Sequence, residues 1–219
     1  MHNVTVAFAA LLVMLLSYFF GCFNGSFMVS HFIIRDDVRK HGSGNAGLTN
    51  FYRTYGAKYA LLVIACDMGK TVAACLLGSF FFRCLGWDGT LGTLLAGLGC
   101  ELGHIFPVFY GFRGGKGILS GGTLVLLLNW RVAAVAWALF LLLWLTTRYV
   151  SLASITATCS APITVYFVYG HNWLYTGLCL AVAALVVWCH RENIQRLLHG
   201  TEKKFKWHVN PMEGKDPPQ

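Results

Sequence analysis

Residues 149–190 read YVSLASITATCSAPITVYFVYGHNWLYTGLCLAVAALVVWCH, 42 residues without an Asp, Glu, Lys or Arg. A helix crosses the hydrocarbon core of a bilayer in about 20 residues. The run is too long for one crossing, and Gly170-His171-Asn172 divides it in two. Charge-free runs recur at 3–34, 118–130 and 132–147. The pattern predicts helices at 4–24, 58–82, 89–105, 117–129, 132–147, 151–169 and 173–190. The third and fourth are short for a crossing and are expected to tilt or to extend into their loops. In lipid the backbone must satisfy itself, so the fold class is an all-α integral membrane protein with about seven transmembrane helices.

Composition agrees. The chain has 219 residues, 56% of them apolar and 12% charged, with a mean hydropathy of +0.58. A soluble domain carries roughly a quarter charged residues. An ordinary soluble fold, disorder, a collagen and a disulfide scaffold are all excluded. The first apolar run lacks a basic leader and an A-x-A-like cleavage site, so it is expected to be retained as a span. Residues 1–202 read as a single polytopic membrane domain and 203–219 as a cytoplasmic tail. The eight cysteines form no CxxC and fall mostly in apolar helices, where they serve as small packing residues.

The charges give the orientation. Seven spans put 25–57, 106–116, the turn near 148 and 191–219 on one side. That side holds Arg35, Arg39, Lys40, Arg53, Lys58, Arg113, Lys116, Arg148, Arg191, Arg196, Lys203, Lys204, Lys206 and Lys215. The other side holds Arg83 and Arg131, and Lys70 falls inside the second span. The positive-inside rule makes the first side cytoplasmic. The N-terminus is then outside and the C-terminus inside.

Four polar, glycine-bearing stretches share the basic side: HGSGNAGLTN at 41–50 followed by Arg53, GHIFPVF at 103–109 leading to RGGKG at 113–117, RYVSLAS at 148–154, and HRENIQRLLHGTE at 190–202. Glycine turns let backbone amides converge on an anion, and helix N-termini add partial positive charge. Arg supplies a planar fork and Lys a point charge. Two such loops with Arg53 and Lys116 therefore read as a cradle for one or two phosphates. Asp67 and Lys70, three residues apart in the second span, can pair on one face, with Lys70 near the site and Asp67 supporting it.

Several shorter matches fail. Gly69-Lys70-Thr71 imitates the end of a Walker A loop, but Ile64 stands where the first glycine is required. Glu101 and His104 form one E-x-x-H without a second, so no metal is expected, and His104 reads as a brace for the second loop. His31 and Asp36 form an isolated H-x4-D. There is no G-x-S-x-G.

The four stretches, long and in order from about residue 35 to 202, resemble the acyl-phosphate:glycerol-3-phosphate acyltransferases, the PlsY family. The resemblance implies a seven-helix bacterial inner-membrane enzyme with its site facing the cytoplasm. It implies transfer of a fatty acyl group from acyl phosphate to the sn-1 hydroxyl of glycerol 3-phosphate, giving lysophosphatidic acid and phosphate for phospholipid synthesis. Its partners are those two substrates, the lipid bilayer, and a soluble enzyme that makes the acyl phosphate. No cofactor, metal or nucleic acid is implied. By motif position, Ser43, Arg53, Lys116, His190 and Asn193 are the expected catalytic residues. Gly42, Gly44, Asn45, Thr49, Asn50, Lys70, Gly114, Gly115, Gly117, Ser154 and Glu192 are expected to bind substrate or its phosphates. Ala46, Leu48 and Thr71 replace the family's usual Pro, Ala and Gly between the polar residues. The expected mechanism is positioning plus electrostatics, with a substrate phosphate or His190 taking the hydroxyl proton. The alternative is a membrane transporter of a phosphorylated solute, but its site would lie near the midplane between repeats, and no repeat is evident.

Overall fold

The structure is a computed structural model and describes residues 2–207. Lys215 and the rest of 208–219 lie outside the described residues. The regular structure of the described residues is all helical: α1 His2–Cys22, α2 Gly25–Met28, α3 Leu48–Tyr55, α4 Ala60–Cys84, α5 Gly89–Ile105, α6 Ile118–Leu128, α7 Trp130–Thr147, α8 Val150–Val168, α9 Trp173–Cys189 and α10 Arg191–Leu198, joined by loops and short 3-10 and π-helical turns. Large apolar side chains such as Phe8, Leu61, Phe80, Leu142 and Phe167 point outward. In water such a surface would be a liability, whereas in lipid it is the expected one.

Each of the seven predicted helices has a counterpart, with ends displaced by no more than about two residues, but the crossings are not uniform. Val4–Ile34, Ala60–Cys84, Gly89–Tyr110, Trp130–Thr147 and Val150–Val168 are long and apolar enough to span. Trp173–Cys189 with Arg191–Leu198, bent by 59°, makes a sixth if counted as one. α6 has 11 residues, a rise of about 16 Å, which is half a bilayer core. It starts at Gly117, whose φ is +82°, and stops where Asn129 turns extended and caps α7 through the Arg131 amide. Its far end still reaches the level of the α8 terminus, because the Leu128 carbonyl accepts from Tyr169 Oη at 2.7 Å. The missing length is therefore at the other end, where loop 111–117 turns inward. Residues 25–34, expected to be loop, are instead helical: α2 and then a π-helical segment Val29–Ile34. Asn24 makes the break, accepting from the Phe27 amide and donating to the Ala46 carbonyl.

α5 is the central helix, packed against α1, α4, α6 and α9. Glycines make this possible. A Cβ on Gly103 would strike the Tyr18 carbonyl of α1, and one on Gly92 the Gly78 carbonyl of α4. Close backbone approach through small residues is how helices associate where lipid removes the hydrophobic drive. α7, α8 and α9 form a second layer, with Leu94, Val132, Ala161 and Val165 in its core.

Candidate functional site

The two glycine loops are stitched together before either meets a ligand. Asn50, at the third position of α3, is the hub of the first loop. Its Oδ1 accepts from the Ser43 amide, and its Nδ2 donates to the carbonyls of Val38, His41 and Asn45 at 3.0–3.1 Å. Gly42 and Gly44 have φ of 59° and 69°, which lets 41–45 fold around that amide. The second loop returns along the end of α5, with Gly115 N donating to His104 O at 3.0 Å and Gly114 N to Ile105 O at 3.1 Å. Ala46 N then donates to Gly114 O at 3.2 Å and joins the loops.

These loops form one end of a cavity of about 670 Å³. Ser43, Asn45, Thr49, Asn50, Arg53, Lys116, Gly117, Ser154, His190 and Asn193 all line it. The remaining expected residues do not. Gly42, Gly44, Gly114 and Gly115 shape the loops. Glu192 is exposed and pairs with Arg196 at 3.8 Å. Lys70 lies outside the cavity wall, its Nζ within 2.8–3.1 Å of Asp67 Oδ1, His104 Nδ1 and the Gly21 and Phe23 carbonyls. It ties α4 to α1 and α5. Asp67 also accepts from the Gly25 amide at 3.0 Å.

Lys116 donates to Asn193 Oδ1. Burial lowers its pKa below the ordinary lysine range, with Arg196 adding to the effect and Glu192 and Glu202 opposing it. Arg53 is pushed down in the same way by burial, against Glu202, and donates to the Lys203 carbonyl at 3.1 Å. His190 Nδ1 lies 2.7 Å from the Val186 carbonyl. A carbonyl can only accept, so Nδ1 carries the proton and Nε2 keeps a lone pair. No hydrogen bond is found for the Ser154 hydroxyl among the described residues.

The sequence singled out neither Glu202 nor the segment after it. Glu202 Oε1 accepts from Ser151 at 2.8 Å and Asn193 Nδ2 at 2.7 Å, and Oε2 accepts from Arg196 Nε at 2.7 Å. Burial would raise its pKa, but these bonds outweigh burial and hold the carboxyl below the usual glutamate range. Beyond it, 203–207 is a packed strap where a tail was expected. Phe205 N donates to Arg148 O at 2.8 Å, and its ring meets Tyr52 and Trp144 with centroids 5.3 Å apart in both cases. Tyr52 Oη donates to Trp207 O at 2.7 Å. The fourth motif runs to Glu202, so Glu202 could have been weighed. Nothing in the sequence marks Phe205.

Away from the loops the cavity turns apolar. Leu124 and Val125 of α6, Ala136, Trp137 and Phe140 of α7, Ala157 and Ala161 of α8, and Val182 and Ala183 of α9 line it. A charged mouth thus continues into a greasy arm between lipid-facing helices.

Known proteins share this architecture. The family model described as glycerol-3-phosphate acyltransferase matches residues 11–200. A glycerol-3-phosphate acyltransferase of Syntrophomonas wolfei is 40% identical over 197 residues, covering 90% of this chain and 96% of that one. One from Finegoldia magna is 38% identical over 189 residues, covering 86% and 92%. The crystal structure of PlsY, an integral membrane glycerol 3-phosphate acyltransferase, in its glycerol 3-phosphate form superposes with a TM-score of 0.79 at 37% identity, covering 90% and 96%. Its lysophosphatidic acid form gives 0.77 at 36% identity, covering 90% and 95%. With motif order, helical architecture and matched length in agreement, this chain belongs to the PlsY family of integral membrane glycerol-3-phosphate acyltransferases.

Proposed function

We propose that the protein transfers a fatty acyl group from an acyl phosphate to the sn-1 hydroxyl of glycerol 3-phosphate, releasing lysophosphatidic acid and phosphate. One observation carries the reading: the cavity joins a cationic end, with Arg53 and Lys116, directly to an apolar arm, with Val125, Ala136 and Ala161. A substrate with a phosphate head and an acyl tail fits that polarity.

In this reading Arg53, Lys116 and the glycine-loop amides neutralise the phosphates, and Ser43 and Ser154 add hydroxyl donors. The sn-1 oxygen attacks the acyl carbonyl carbon. The ester C–O bond forms, and the bond from that carbon to the phosphate oxygen breaks. Phosphate leaves with the electron pair, and the hydroxyl proton passes to a substrate phosphate oxygen. His190 offers its Nε2 lone pair to a glycerol hydroxyl and orients it, and Asn193 holds Lys116. The rate gain is positioning plus charge neutralisation. The site faces the cytoplasm of a bacterium across its inner membrane, with seven crossings, the N-terminus outside and the C-terminus inside. Residues 1–202 form the membrane domain, and a soluble enzyme supplies the acyl phosphate.

The test is direct. Purified protein in detergent, given palmitoyl phosphate and labelled glycerol 3-phosphate, should form labelled lysophosphatidic acid and release phosphate. An inactive preparation beside an active relative would sink the reading, as would equal activity with acyl-CoA as donor.

A further inference from the structure

His104 lies on the last turn of α5, is 3% exposed and lines the cavity. Its Nδ1 is 2.8 Å from Lys70 Nζ. An ammonium is a donor without acceptor capacity. A ring nitrogen at that distance must therefore present its lone pair, which puts the proton of the neutral ring on Nε2. Lys70 cannot drift from this position, because Asp67 Oδ1 at 2.8 Å and the Gly21 and Phe23 carbonyls at 3.1 Å hold it. Asp67 lies 3.6 Å from the same Nδ1 and is held in turn by the Gly25 amide.

Nε2 lies against Gly115, where a Cβ would strike it. No hydrogen-bond acceptor for Nε2 is found among the described residues. A ring donor left without a protein partner, on a residue that lines the cavity and beside a glycine loop, is an incomplete site. The neighbouring loop residue Lys116 supplies positive charge, so an anionic oxygen is the acceptor that completes it.

We propose that His104 donates its Nε2–H to a phosphate oxygen of the substrate held at the Gly114-Gly115 loop, with Asp67 and Lys70 as positioning residues that fix its tautomer. The proposal rests on the reading of the cavity as a phosphate site. It moves Lys70 from phosphate ligand to support, and His104 from brace to ligand. Both substrates of the proposed reaction carry a phosphate, and the experiment distinguishes them.

Inorganic phosphate and glycerol 3-phosphate are titrated calorimetrically into wild type, His104→Gln and His104→Leu. The Gln amide can place an N–H near the position of Nε2, whereas Leu has none. Affinity is expected to fall at least about tenfold in His104→Leu, the scale of a charge-assisted hydrogen bond. In His104→Gln it should stay within about threefold. In turnover, a raised KM for glycerol 3-phosphate with kcat held assigns the contact to the acceptor, and a raised KM for palmitoyl phosphate assigns it to the donor. Equal affinity in all three proteins overturns the proposal. So does an equal loss in both variants, which would mean a structural role. Should His104→Leu not fold, ¹⁵N-histidine spectra of the wild type decide: phosphate must shift the His104 Nε2–H signal, and an unmoved signal overturns the proposal. The double variant Asp67→Asn/Lys70→Met removes the charged pair together, and there the signal should show both tautomers. Wild type that binds phosphate but makes no lysophosphatidic acid would defeat the acyltransferase reading and leave this test intact.

Discussion

At the residue scale, one amide organises the charged end of the cavity. Asn193 accepts from Lys116 and donates to Glu202, so the ammonium is aimed without being neutralised by a direct carboxylate contact. Lys116→Ala and Ser43→Ala should each lower kcat/KM at least about tenfold, roughly 1.4 kcal/mol. The depressed Lys116 pKa gives a pH signature. The charged form is lost as pH rises through a value below the usual lysine range. The alkaline limb of kcat/KM, which reports the free enzyme, should therefore begin early in wild type. In Lys116→Arg, which stays charged, that limb should move to higher pH. An unchanged limb would remove Lys116 from the phosphate site. Asn50 teaches the limit of motif reading. It stands among phosphate-binding candidates by position, yet the carbonyls of Val38, His41 and Asn45 and the Ser43 amide use its side chain. Asn50→Ala should destabilise by about 2 kcal/mol or more, seen as a lower Tm in detergent. A KM effect at unchanged Tm would restore the binding role. A motif states which residues recur in order and not which of them face the ligand. Asn50 and Lys70 were therefore legible as polar and close to the site, but the contacts that occupy their side chains within the protein were not.

At the element scale, α5 combines the glycines that let α1 and α4 approach with one anomaly. Glu101 is 1% exposed, and neither carboxylate oxygen has a hydrogen-bond partner among the described residues. It lies against Gly117 and Gly121 at the start of α6. An unsatisfied buried polar group costs about 1–3 kcal/mol, and an apolar residue of similar volume removes that cost. Glu101→Leu should fold with equal or higher Tm and near-wild-type activity. A fall in Tm would show that the carboxyl has a partner, such as a buried water. The elements themselves were largely legible, because 89–105, with Glu101 as its single Asp, Glu, Lys or Arg, and 173–190, with none, carry the apolar patterns that become α5 and α9. Residues 25–34 were not. They continue the same charge-free run, and it is the Asn24 cap, a tertiary contact to Ala46, that breaks and restarts the helix there. α6 was foreseen as a short element, but its brevity comes from loop 111–117 turning back along α5. That return depends on Gly114 and Gly115 fitting against His104, a long-range packing fact that hydropathy does not contain.

At the scale of the whole molecule, charge and chemistry point to the same end of the bundle. The loops that carry most of the Lys and Arg are those whose residues meet in the cavity, and the strap at 203–207 closes over the same end through Arg53, Tyr52 and Arg148. Glycerol 3-phosphate is a water-soluble anion, so this end must open to the compartment that holds it, while the apolar arm lies between helices whose outer faces meet lipid. If the basic end is cytoplasmic, Lys204 and Arg83 lie on opposite sides of the membrane. The exposed native thiols are Cys84 and Cys159, so the experiment uses a background in which both are Ser. In right-side-out vesicles a membrane-impermeant maleimide should then leave Lys204→Cys unlabelled and label Arg83→Cys. In inverted vesicles the pattern should reverse. Labelling of Lys204→Cys from outside would invert the orientation. It would also put the cationic end of the cavity on the side opposite to the cytoplasmic site of the proposed reaction, so the topology and the proposed reaction would fail together.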